Sequence, residues 1–129
     1  MIRPRAFISF DYHHDSDLPI LLAGQAKHPD TPFDIKDMSV KEALTGDWKA
    51  KVRQRMNNVD LVIVICGQNT NTASGVAAEL AMAREANKPY FLLAGRSDAY
   101  CTKPTTAYST DKVYKWTWDN LKALVHGSR

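Results

Sequence analysis

Cysteine is scarce in this 129-residue chain, which holds only Cys66 and Cys101. Cys66 closes an apolar run and Cys101 lies in a polar stretch, so there is neither a disulfide framework nor a metal-ligand spacing, and both read as reduced thiols. Long hydrophobic runs are missing too. No apolar stretch approaches the roughly 20 residues of a membrane helix. Ala6-Phe7-Ile8-Ser9-Phe10, behind the basic start Met1-Ile2-Arg3-Pro4-Arg5, is too short for a signal-peptide core. The expectation is a soluble protein of the cytoplasm with no membrane partner. Charge of one sign is not concentrated: the net charge is +3 and the lysines and arginines are scattered, which argues against nucleic acid. GxGxxG and GxxxxGK[ST] are both lacking, and with them the signatures of a dinucleotide fingerprint and a P-loop NTPase. There is no internal repeat and no low-complexity segment.

What remains is the composition of an ordinary globular domain, 44% hydrophobic and 24% charged, with a length suited to one domain spanning residues 1–129. Ala6 to Phe10 has the apolar, β-rich character of a buried strand, followed by the polar loop Asp11-Tyr12-His13-His14-Asp15. Leu18, Leu21, Leu22 and Ala26 recur at helical spacing and predict a helix over about 17–27, with Pro19 tolerated in its first turn. Phe33-Asp34-Ile35-Lys36 alternates as a short edge strand does. The stretch from Asp37 to Gly46 is long for a strand-helix connection and is a candidate ligand wall. Trp48, Val52, Met56 and Val59 mark the apolar stripe of a second helix that Asp47 can cap.

Leu61-Val62-Ile63-Val64-Ile65-Cys66 reads as the central strand, and Ala73, Val76, Ala77, Leu80 and Ala81 as the buried stripe of the helix after it. Tyr90 to Leu93 is a fourth strand, 95–112 is loop, Val113 to Trp116 is a last short strand, and a helix runs from Thr117 through Val125. Strands alternating with helices imply βαβ units and a mainly parallel, five-stranded, flavodoxin-like doubly wound sheet with helices on both faces. In the common strand order 2-1-3-4-5 the loops after Phe10 and Cys66 meet at the switch point, where ligands bind.

Glu79 lies on the helix that leaves this point. It sits off the centre of its helix's apolar stripe and is no capping-box glutamate, so spacing alone leaves two readings: a solvated acid on the helix flank, or a carboxylate at a cleft. Asp11 and Tyr12 have a positional claim on a ligand, with a turn-capping aspartate as the plain alternative. His13 and His14 read as surface histidines, since no partner stands at a metal spacing. Gly67 and Gly75 flank a helix entry whose amides could receive a phosphate, which is a faint signal by itself. Flavin transfer and phosphoacceptor regulation both fit poorly. The loop after strand one lacks a Ser/Thr/Gly phosphate cradle, and Ile65-Cys66-Gly67 stands where a regulator needs an aspartate. Trp116 and Trp118 read as packing for the C-terminal helix.

Ala6-Phe7-Ile8-Ser9-Phe10-Asp11-Tyr12, Leu61 to Ile65 with Ser74 to Leu80, and Tyr114-Lys115-Trp116-Thr117-Trp118-Asp119-Asn120-Leu121 together resemble the bacterial TIR-like family, best known from the Thoeris anti-phage defence system. The resemblance covers nearly the whole chain. It implies an NAD glycohydrolase or ADP-ribosyl cyclase that uses NAD as substrate and needs no cofactor or metal. Its product would be a diffusible ADP-ribose-derived signal acting on a downstream effector. Ser74-Gly75-Val76-Ala77-Ala78-Glu79 matches the family's S-x-x-x-x-E context, with small residues where an aromatic or cysteine is common, and makes Glu79 the catalytic carboxylate. By the same resemblance Ser9 and Phe10 border the nucleotide and Asp37, Ser39 and Trp48 line the neighbouring wall. Asp11, Tyr12, Asn69 and Ser74 complete the expected substrate-binding set. Assembly into a homo-oligomer is compatible with the family, whose sites are often completed across subunits. Two other functions stay open: a non-catalytic TIR-like module that binds a nucleotide or self-assembles, and a nucleoside deoxyribosyltransferase-like enzyme.

Overall fold

The computed structural model describes residues 3–39 and 47–129. Five strands, β1 (Arg5–Ser9), β2 (Asp34–Met38), β3 (Leu61–Cys66), β4 (Tyr90–Ala94) and β5 (Val113–Lys115), alternate with four helices, α1 (Leu18–Ala26), α2 (Asp47–Asn57), α3 (Ser74–Glu85) and α4 (Trp118–Val125). A 3-10 turn, Thr70–Thr72, precedes α3. The strands form one sheet in the order β2-β1-β3-β4-β5, and every neighbouring pair is parallel. The order reverses at β1, with β2 on one side and β3 to β5 on the other, so the loops leaving β1 and β3 diverge around a crevice at the carboxyl edge.

Two apolar clusters sandwich this sheet. Alternation along the strands sends Ile8, Ile63, Ile65, Phe91 and Leu93 to one face, against Leu18 and Leu22 of α1 and Leu121 and Leu124 of α4. Phe7, Val62, Val64, Cys66 and Leu92 go to the other, against Val52 and Met56 of α2 and Val76 and Leu80 of α3. All six residues of β3 are therefore buried, as a β-branched strand covered on both faces must be. At α4 the Thr117 side chain caps the helix by accepting from the Asn120 amide at 3.1 Å. Trp116 and Trp118 pack against the first cluster, and the Trp116 indole donates to Gln25 Oε1 at 2.8 Å.

The sequence reading needs correction at several places. β1 ends at Ser9 rather than Phe10, and β5 at Lys115 rather than Trp116. β2 is not Phe33 to Lys36 but runs to Met38, because its pairing with β1 continues to Ile8 opposite Met38 after a register shift between Ala6 and Phe7. Phe33 is fully buried ahead of the strand. Leu21 does not join the α1 stripe: it is 61% exposed, since Leu18 and Leu22 already fill the contact with the sheet. On α3, Met82 and Ala83 are buried where Ala81 was expected. Of the proposed ligand wall, residues 40–46 lie outside the described residues.

Candidate active site

Glu79 sits in the second turn of α3 and is 2% exposed. The reading of a solvated acid on the helix flank is thereby overturned. The flank of α3 that looks outward on its own helix is roofed by the ends of β1 and β2. Ser9, the last residue of β1, donates its hydroxyl to Glu79 Oε1 at 2.7 Å, and Ser39, just past β2, donates to the same oxygen at 2.6 Å. Ser39 is itself fixed. Its amide donates to Ile8 O at 2.8 Å and its hydroxyl oxygen accepts from the Phe10 amide at 3.1 Å. Burying a carboxylate is costly unless hydrogen bonds replace water, and these two hydroxyls supply part of that replacement. Residues 40 and 70 positions away thus hold one oxygen atom in place.

The carboxylate faces a cavity of about 170 Å³ at the switch point. Of the residues expected to bind substrate, Phe10, Asp11, Tyr12, Ser39, Trp48 and Ser74 line this cavity with Glu79. Ser9 contributes through its bond to Glu79. Asp37 and Asn69 do not line it. Asp37 lies within β2, two residues short of Ser39, where Arg55 Nε is 3.5 Å from its carboxylate. Asn69 opens instead onto a second polar cleft with Gln68, Asp15 and Arg96.

The helix entry beside Gly75 and the two histidines of the loop after β1 also meet at this cavity. The first turn of α3 reaches the cavity with Ser74, Gly75 and Val76, and its N-cap Ala73 offers no side chain to its amides, so this positive helix end is open to an anionic group. His13 and His14, read as surface residues, also line the cavity. His14 Nδ1 lies 2.6 Å from Asp11 Oδ2, while Asp11 Oδ1 accepts from the His13 amide at 3.1 Å. The i, i+3 spacing of Asp11 and His14 was the one signal for this pairing. Tyr12 stacks on Phe10 with ring centroids 6.2 Å apart, giving the entrance an aromatic wall.

The second cleft is organised by charge. Arg96 Nη2 donates to Asp15 Oδ1 at 3.0 Å, and the guanidinium grips Asp17 at 2.7 and 2.8 Å. Burial pushes the Asp15 carboxyl above its usual value against the pull of Arg96, whereas the Arg96 hydrogen bond holds exposed Asp17 below it. Asp15 is packed so closely on Gly67 that a Cβ there would fall 2.2 Å from its Oδ2, so glycine is required at that turn. Cys66, at the end of β3, has its thiol pushed up to about 12 by burial, which makes it a packing residue and not a nucleophile. Among the described residues no group of three or more His, Cys, Asp or Glu side chains could hold a metal ion. No described helix is long and apolar enough to cross a membrane.

Comparison with known proteins places this geometry in context. The family model described as "Thoeris protein ThsB, TIR-like domain" matches residues 7–98. Among solved structures, the crystal structure of a prokaryotic SEFIR domain superposes with a TM-score of 0.54 at 15% identity, covering 95% of this chain and 88% of that one. At that identity the likeness concerns the fold alone. No curated protein matches the chain.

Proposed function

This chain belongs to the TIR-like domain family of the Thoeris protein ThsB, and we propose that it cleaves NAD at the nicotinamide glycosidic bond with Glu79 as the catalytic carboxylate. The observation that carries the reading is the buried Glu79 carboxylate, pinned by Ser9 and Ser39 and facing the switch-point cavity. When the bond between ribose C1′ and the pyridinium nitrogen breaks, its electron pair leaves on nicotinamide and positive charge develops on the ribose. A carboxylate fixed beside that carbon stabilises the oxocarbenium-like state more than the ground state, which is the differential binding that accelerates a reaction. Nicotinamide departs neutral. No acid is required to protonate it, and one carboxylate suffices.

The cavity's size supports one end of the dinucleotide as its occupant. At about 170 Å³ it falls below the roughly 300–1,000 Å³ of pockets that enclose a drug-sized ligand, so it takes only part of the dinucleotide. Tyr12, Phe10 and Trp48 offer flat apolar surface to the pyridinium ring, and the open amides of α3 suit a phosphate. The ADP-ribose product, linear or cyclised, serves as a diffusible signal to a downstream effector in anti-phage defence in the cytoplasm, and a homo-oligomer is the assembly in which the site works.

The test is nicotinamide release from NAD by purified protein at several concentrations, with mass spectrometry of the products. Equal activity in Glu79→Gln sinks the assignment. Tight nucleotide binding without turnover at every concentration favours a non-catalytic module. Base exchange on deoxynucleosides with NAD left intact favours the deoxyribosyltransferase reading.

A further inference from the structure

The oxocarbenium end of the reaction needs a nucleophile, and a hydroxyl nucleophile must lose a proton as it attacks. We propose that His14, oriented by Asp11, is the base that takes this proton from water or from an alcohol of the substrate. The inference rests on the NAD-cleaving reading and assigns a second catalytic residue to that site. Asp11 is 5% exposed and its two oxygens are engaged from one side, Oδ1 by the His13 amide at 3.1 Å and Oδ2 by His14 Nδ1 at 2.6 Å. A carboxylate only accepts, so Nδ1 carries a proton, and in the neutral imidazole Nε2 is then the atom with the free lone pair. This is the carboxylate-imidazole arrangement that activates nucleophiles in many hydrolases.

The position of the pair suits the role. The His14 side chain is 52% exposed while its carboxylate partner is buried, so the imidazole reaches solvent and cavity alike from a fixed anchor. The backbone around it is braced as well, with Asp15 N donating to Asp11 O at 2.8 Å and Arg96 Nη2 to His14 O at 3.3 Å. Glu79 and His14 line the same cavity from different elements, α3 and the β1-α1 loop. One residue stabilises the developing cation and the other prepares what captures it. The step balances: the C1′–N bond breaks with its electrons on nicotinamide, an oxygen forms a new bond to C1′, and the proton passes to Nε2. The imidazolium, paired with Asp11, then returns that proton to water.

A nucleophile with no proton to lose separates this role from a structural one. Exchange of nicotinamide for 3-acetylpyridine uses a ring nitrogen that needs no base, so it depends on Glu79 but not on His14. With NAD and a fixed concentration of 3-acetylpyridine, wild type and His14→Gln are compared by the ratio of exchanged dinucleotide to hydroxyl-captured product. The ratio should rise by about a hundredfold in His14→Gln, the lower end of what a positioned general base contributes. Asp11→Asn should move it in the same direction, and Glu79→Gln should lose both products. An unchanged ratio overturns the proposal, whether both products persist or both fall together. A wild type that releases no nicotinamide overturns the proposed function and this inference with it. Nicotinamide release with an unchanged ratio overturns the base alone.

Discussion

Two of the buried carboxylates at the carboxyl edge of the sheet, Asp15 and Glu79, are held by different chemistry. Asp15 is tied to Arg96, whose guanidinium also binds Asp17, and its side chain is packed against Gly67. Glu79 is held by the hydroxyls of Ser9 and Ser39. A guanidinium neutralises the charge it orients, whereas a hydroxyl orients a carboxylate without bringing a countercharge of its own. The first arrangement fastens the β1-α1 loop to the loop after β4. The second holds a carboxyl group at the wall of a cavity. Burial alone did not separate them, because Asp15 and Glu79 are both 2% exposed.

The strongest test of that contrast is Glu79→Gln. The amide keeps the shape and can still accept from Ser9 and Ser39, so folding should be preserved while nicotinamide release falls by about a hundredfold or more, the usual cost of removing one preorganised electrostatic group. Activity and thermal unfolding measured on the same preparation check it. A variant that loses stability but not activity would put Glu79 in the same class as Asp15.

Arg96→Met should show the converse, with loss of stability exceeding loss of activity. Removing one partner from a fully buried pair costs about 3–5 kcal/mol. The Arg96 side chain is 29% exposed, so water already screens part of the interaction and about 1–3 kcal/mol is expected by denaturant titration. If nicotinamide release falls with it by as much as in Glu79→Gln, the second cleft belongs to the active site.

Acid titration sharpens the difference within the Arg96 cluster. Asp15 has its value raised above 3.8, so its protonated form is favoured in the folded state. Its contribution is fully present below pH 3.8 and is lost as pH rises through the folded value. Asp17 has its value lowered, so its contribution is present above pH 3.8 and is lost as pH falls through the folded value. Relative to Asp15→Asn, the wild type should therefore lose stability as pH rises from 3.8, and relative to Asp17→Asn it should lose stability as pH falls below 3.8. Unfolding free energies of the three proteins between acid and neutral pH measure this, and parallel curves would refute it.

The same two regions show what the sequence could reveal. Hydrophobic runs and helical periods placed β3, α3 and the switch point, because they depend on neighbours two to four residues away. The position of Glu79 on α3 was legible from that period, but its burial was not. The serines that cover it are donated by β1 and by the turn after β2, and the extent of β2 depended on a register shift opposite Ala6 and Phe7. Asp15 and Arg96 went unnoticed for a similar reason: 81 residues separate them, and no local pattern marks an ion pair between two loops. His14 lay closer to detection. Its partner is three residues away, yet a loop has no fixed period from which to infer that two side chains meet.

Asn69 gives the smallest expected effect and the finest division between the regions. The sequence reading puts it among the expected substrate contacts, yet it lies in the 67–72 loop facing Gln68, Asp15 and Arg96, and its side chain is exposed. Its backbone does structural work, with the carbonyl accepting from the Thr72 amide at 3.0 Å and from the Thr72 hydroxyl at 2.8 Å, and a side-chain substitution leaves both bonds intact. Asn69→Ala should therefore leave nicotinamide release within about twofold of wild type, inside the scatter of ordinary surface substitutions. Steady-state kinetics over a range of NAD concentrations provide the check, since a distal contact would raise KM and leave kcat alone. A large rise in KM would mean that the adenylate end of NAD crosses from the Glu79 cavity into the Asp15 cleft, with His14, which borders both, at the crossing.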